Sequence, residues 1–159
     1  MKIFRFIPII LMILCVSCQN EDGEQTNLKL PEIDGVIWKT DKDATPNLIG
    51  TRWKLESAVS TITGESKVLE GTKDCEKCYT LMFETNTEAC GTSIFFKVCV
   101  DLSDFKRHMG LNDFLEIPED SSLFRHVLAR ITAYSATSNK LIIFSDEARS
   151  YLIFKMIEP

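Results

Sequence analysis

The chain carries no surplus of positive charge: 18 Lys and Arg stand against 23 Asp and Glu, a formal net of −5. Nucleic-acid binding by phosphate neutralisation needs a basic stripe, so that class is excluded. Long apolar runs are also missing. The longest, residues 6–18, spans thirteen residues, whereas a transmembrane helix needs about 20. Histidine is scarce: His108 lies next to Lys106 and Arg107, and His126 next to Arg125. Such neighbours mark solvated faces, and neither histidine has a second ligand at metal spacing. G-x-S-x-G, G-x-x-x-x-G-K and H-E-x-x-H do not occur, and with them go the common hydrolase, nucleotide and zinc-peptidase signatures. There is no internal repeat and no low-complexity tract. No catalytic residue, metal ligand or cofactor is therefore assigned. What is present is ordinary globular material, 159 residues with 45% apolar and 26% charged, enough for one domain and an appendage.

The opening residues read as an address. Lys2 and Arg5 flank the start of the apolar stretch Phe6-Ile7-Pro8-Ile9-Ile10-Leu11-Met12-Ile13-Leu14, the order of a secretory signal. Next, Leu14-Cys15-Val16-Ser17-Cys18 resembles the bacterial lipoprotein signal, in which a small residue precedes a cysteine that is lipidated and becomes the mature N-terminus. Ser17 and Val16 fit that pattern, while Cys15 would follow the bulky Leu14, so Cys18 is the expected lipidation site. Several acyl chains (palmitate and its like) hold a protein on a membrane because each buried methylene contributes about 0.8 kcal/mol. Gln19-Asn20-Glu21-Asp22-Gly23-Glu24 is similar to the acidic export segment of surface-displayed lipoproteins of Bacteroidota, which implies the outer membrane and the cell surface. Loss of residues 1–17 leaves a net of −7, suited to repelling anionic headgroups.

Residues 18–47 read as an acidic tether: seven acids, three lysines, Pro31 and Pro46, with no sustained periodicity. Val36-Ile37-Trp38 is the exception, where a large aromatic is placed either to dock on the domain, the favoured expectation, or to lie at the membrane interface. From Leu48 to Pro159 the pattern turns to short alternating segments bounded by Gly, Asn, Ser or Asp, the mark of antiparallel sheet. Trp53, Leu55, Ser57 and Val59 alternate with polar or small residues, as do Tyr79, Leu81 and Phe83. Ile94, Phe96, Val98, Val100 and Leu102 form the clearest alternation, and 131–136, 141–144 and 151–157 make a closing meander. After Pro118, with Asp120 or Ser121 as cap, Leu123, Phe124, Val127, Leu128 and Ile131 predict one helix over about 120–131. The acids Asp113, Glu116, Glu119 and Asp120 lack calcium-loop spacing and read as turn and cap. The expected class is mainly antiparallel β, closing toward a barrel with one packed helix.

Leu48-Ile49-Gly50-Thr51-Arg52-Trp53-Lys54-Leu55, Asp74-Cys75-Glu76-Lys77-Cys78-Tyr79-Thr80-Leu81-Met82-Phe83 and Tyr151-Leu152-Ile153-Phe154-Lys155 together resemble the lipocalin-like and META-like small lipoproteins of Bacteroidota. The resemblance covers residues 48–159 and implies a small barrel-like domain of unassigned activity, with a ligand-sized interior in some relatives. Trp53, Tyr79, Phe83, Phe96 and Tyr151 are the aromatics of alternating strands that would line such a cavity if a ligand is bound, the ordinary use of such residues being to fill the core.

Four cysteines remain in the mature chain: Cys75, Cys78, Cys90 and Cys99. Export permits disulfides. Pairing strand 78–84 with strand 93–101 across a turn at 85–92 sets Cys78 opposite Cys99, one expected bridge. The competing bridge is Cys75–Cys78, which closes a small turn and leaves Cys90 and Cys99 free. Cys90 and Cys99, read on one extended strand, would stand about 30 Å apart and need a bend to bond. The expectation for function is a non-catalytic binding or interaction module, taking a small apolar ligand or an envelope protein partner. Alternatives are thiol redox chemistry at Cys75 and Cys78, or a structural part of a surface assembly.

Overall fold

The computed structural model describes residues 29–40, 43, 47–93, 97–103, 105, 107–109 and 119–158. Cys18, Phe96, Asp113, Glu116 and the acidic segment 19–24 lie outside the described residues. The strands are β1 (Arg52–Ser60), β2 (Ser66–Lys67), β3 (Thr80–Phe83), β4 (Glu88–Thr92), β5 (Lys97–Asp101), β6 (Arg107–Met109), β7 (Ala133–Ala136), β8 (Lys140–Ser145) and β9 (Ser150–Glu158). The helix α1 is Glu119–Ala129. Every described pairing is antiparallel, in the order β6-β5-β4-β3-β1-β9-β8-β7, with β2 beside β1. Although β5 and β8 lie far apart in that order, α1 touches both. The sheet therefore curls around the helix as a half-barrel.

The curl has a local cause in β1. Its register to β9 shifts between Leu55 and Ser57, so that Trp53 and Leu55 face inward before the bulge and Ala58 after it. A bulge bends its strand and increases twist. The uninterrupted alternation expected from Trp53 to Val59 is thus corrected: Val59, opposite Tyr151, belongs to the outer face.

The concave side is packed solid. Trp53, Leu81, Phe83, Phe124, Tyr134, Leu141, Ile143, Leu152 and Phe154 are all fully buried in one cluster. The Phe124 ring meets Tyr79 edge-on at 5.1 Å and Phe154 at 6.2 Å. Phe124, Val127 and Leu128 supply the helical face the spacing predicts, and Ile131 joins the core just past the helix end.

Neither Asp120 nor Ser121 is spent as a cap. The Glu70 amide donates to Asp120 Oδ2 at 2.6 Å, Lys67 Nζ reaches Asp120 Oδ1 at 2.5 Å, and Ser121 Oγ pairs with the buried Tyr79 hydroxyl at 2.7 Å. These side chains dock the helix on residues some 40 to 50 positions upstream. Burial would raise the Asp120 carboxyl, but the Glu70 amide and the Lys67 ammonium outweigh it and hold it below its ordinary value.

Where the sequence reads a turn at 85–92, the structure has β4. Its inward residues are Ala89 and Gly91, both buried. A Cβ at Gly91 would stand 3.0 Å from Leu128 Cδ1 and 3.0 Å from Leu81 Cδ2. Gly91 is small because the helix presses there.

Candidate functional site

The aromatics placed by sequence around an interior cavity divide. Trp53, Tyr79 and Phe83 are core, at most 1% exposed, and enclose no described cavity. Tyr151 is half-buried and lies on the other side of the sheet, in a cleft on the convex face. Trp53, Tyr79 and Phe83 thus fill the core, and Tyr151 alone of these described aromatics borders a cleft.

That outer site is made by residues 29–40, which the composition reads as tether and which lie over β7–β9. Two anchors hold them. Lys39 N donates to Tyr134 O at 2.7 Å and Tyr134 N to Lys39 O at 2.9 Å, a two-way bridge on the β7 edge. The Trp38 ring then sits 5.8 Å from Phe144, tilted by 52°. Trp38 Nε1 also donates to Pro31 O at 2.8 Å, tying the two ends of the loop between them. Inside the loop, Val36 N donates to Ile33 O at 3.1 Å, and Gly35 turns the chain at φ +70°. That left-handed angle favours glycine.

This strap covers a face that would otherwise expose apolar rows. Ile142 and Phe144 of β8 point away from the core yet are 3% and 2% exposed. Between strap and sheet lies a cleft of about 140 Å³. Its walls are Ile33 and Val36 above, and Ile142, Tyr151 and Ile153 below. Ser135, Thr137, Lys140 and Asp34 rim it with polar groups. Burial pushes the Tyr151 phenol up, so it remains a neutral hydrogen-bond donor at physiological pH. Across Pro31 a wider trough of about 560 Å³ runs over Phe144, with Lys29, Glu32, Asp146 and Arg149 around it. The cleft thus pairs apolar walls with a polar rim.

The four cysteines form two disulfides, Cys75–Cys78 and Cys90–Cys99. The expected Cys78–Cys99 bridge is corrected, and the cause is β4. With β4 inserted, Cys90 faces Cys99 across β4–β5, the two Cα atoms 4.0 Å apart. The bend thought necessary is the hairpin itself. Cys75 and Cys78 close the turn before β3, their Cα atoms 5.2 Å apart.

Lys54, on β1, has no local signal in sequence and reaches across to that turn. Its ammonium donates to Cys78 O at 2.5 Å, Cys75 O at 2.6 Å and Glu76 O at 3.4 Å. Burial lowers its pKa, with Glu76 opposing and Arg52 adding to the shift. Tyr79, next in the chain, is a buried non-glycine residue at φ +53°.

No family model matches the chain. A protein of Tannerella forsythia described as a candidate lipoprotein is 28% identical over 121 residues, 75% of this chain and 82% of its own length. A solved structure of a DUF4847 family protein from Bacteroides vulgatus superposes with a TM-score of 0.47 at 13% identity, over 70% of this chain and 96% of that one. The chain is thus similar to a lipoprotein of a Bacteroidota species.

Proposed function

We propose that this chain is a lipid-anchored binding protein of the bacterial envelope, held through Cys18, whose ligand cleft works without catalysis. One observation carries the reading: residues 29–38 fold over the outer face of β7–β9 and leave a small apolar-walled cleft beneath them. The strap is continuous with the segment leading to Cys18, so the ligand face is the membrane-linked face. The acidic Gln19–Glu24 stretch supports export to the outer membrane and the cell surface. Walls of Ile, Val and Tyr select a small apolar ligand, and Lys140 with the Tyr151 hydroxyl offers it a polar end.

The test begins with the protein purified from its own host's envelope, weighed under native and then denaturing conditions. Extra mass lost on denaturation, and absent from an Ile142→Trp variant that fills the cleft, supports the reading. A native mass equal to the denatured mass defeats the ligand role, and a stable co-purifying protein in its place selects the assembly component. Growth with labelled palmitate checks the anchor: label on the wild type and none on Cys18→Ala is the expected result.

A further inference from the structure

Two disulfides in one small domain invite the question of whether they do the same work. Cys90–Cys99 joins facing residues of two strands already paired over five positions. Cys75–Cys78 closes an exposed turn: Lys73, Asp74, Glu76 and Lys77 around it are all exposed, Cys75 is half-buried, and Cys78 is 6% exposed. Cys75, at the edge of the core, is thus the more exposed residue of the pair, an asymmetry that favours attack at one of the two sulfurs.

The turn is also held without its disulfide. Cys75 N donates to Gly71 O at 3.1 Å, Cys78 N to Cys75 O at 3.2 Å, and the Lys54 ammonium grips the carbonyls of both cysteines. A reversible couple needs a fold that survives in both redox states. It also needs a cation beside the sulfur that carries charge, because the thiolate is the reactive form. Lys54 meets the first need through its bonds to the Cys75 and Cys78 carbonyls, and the same bonds place its ammonium at the turn that carries both sulfurs. The left-handed Tyr79 marks backbone strain beside the same turn.

We propose that Cys75–Cys78 is a thiol–disulfide exchange site whose co-substrate is an external dithiol, and that Cys90–Cys99 is structural. A thiolate of the dithiol attacks Cys75 Sγ. A new S–S bond forms, the Cys75–Cys78 bond breaks, and its electron pair leaves on Cys78 Sγ, which takes a proton from solvent. The second thiolate of the dithiol then attacks its own sulfur in the mixed disulfide and expels Cys75 Sγ as a thiolate. The Lys54 ammonium offsets that charge until a proton arrives. In sum the dithiol gives up two electrons and two protons and becomes a disulfide, and Cys75 and Cys78 gain both. Lys54 touches neither reacting sulfur in this account and is a positioning residue.

The experiment treats the purified full chain with dithiothreitol, quenches with iodoacetamide at timed intervals, and locates each alkylated cysteine by mass spectrometry. Cys75–Cys78 opens at least about tenfold faster than Cys90–Cys99, with far-UV circular dichroism unchanged. In the reduced Cys90→Ser/Cys99→Ser variant, alkylation of Cys75 has its pH midpoint below about 8.5, the ordinary cysteine value. Lys54→Met raises that midpoint and slows exchange, and Lys54→Arg restores both. Equal opening rates, a Cys75 midpoint at or above the ordinary value, or a Lys54→Met profile superimposable on the parent's each overturn the proposal. Should Lys54→Met fail to fold, the opening rates of the unaltered chain and the Cys75 midpoint in the Cys90→Ser/Cys99→Ser variant decide alone.

Discussion

Strand β8 is buried on both faces, and the two faces are buried by different means. Its inner residues Leu141 and Ile143 lie in a cluster assembled from α1 and distant strands. Its outer residues Ile142 and Phe144 are covered by the strap, a single segment of chain whose described anchors include a two-way bridge and an aromatic contact. Equal burial therefore does not mean equal stability. The inner face is expected to open only with global unfolding and the outer face to open locally, and local opening is the property a binding surface draws on.

The comparison can be pressed at four points. Phe124→Ala, which removes the ring between Tyr79 and Phe154, should cost about 3–5 kcal/mol in urea unfolding. A much smaller loss would mean that the inner face is as yielding as the outer. Gly91→Ala should cost about 1–3 kcal/mol, because its Cβ meets Leu128 and Leu81 at 3.0 Å. Measured across a cavity-relieving Leu128→Ala background, that penalty should shrink. Trp38→Ala should lower global stability by only about 1–2 kcal/mol. Its sharper signature is hydrogen exchange: the Tyr134 amide, donated to Lys39 O, should speed up while amides of β1 and β9 hold. Uniform acceleration would erase the distinction between the faces.

The smallest effect is electrostatic. The Asp120 carboxyl is held below its unfolded value, so its contribution is complete above that unfolded value, about 3.9, and is lost as pH falls through the lower folded one. Asp120→Asn keeps an acceptor for the Glu70 amide but removes the titration. The acid limb of its stability curve should flatten, with the variant less stable than the parent at neutral pH, where the ionised carboxyl contributes fully, and level with it below the folded value.

Legibility followed periodicity. The apolar runs at 141–144 and 151–157 and the helical face of Phe124, Val127 and Leu128 were plain because each element carries apolar residues onto the core. β4 was not, because the helix above it demands Ala89 and Gly91, and small residues carry no strand signal. Missing that strand displaced the register, and the displaced register paired Cys78 with Cys99. The strap was hidden for another reason: its order comes from docking on Phe144 and Tyr134, residues about a hundred positions away. Only Trp38, large and apolar in an acidic stretch, hinted at it. Lys54 was invisible, since an outward lysine on an alternating strand is the commonest of residues and only the folded turn supplies its three carbonyls. The Cys75–Cys78 turn, by contrast, could be read from spacing alone.

The Lys39–Tyr134 bridge also bears on what happens when many copies share one surface. β7 is the last strand in its direction, and its free rim would accept a strand from any neighbour. Proteins confined to a plane meet one another far more often than proteins in a volume. By occupying both backbone groups of Tyr134 with its own chain, and placing a lysine at that spot, the molecule closes the rim at its middle. A neighbour arriving edge-on at β7 finds that seat taken.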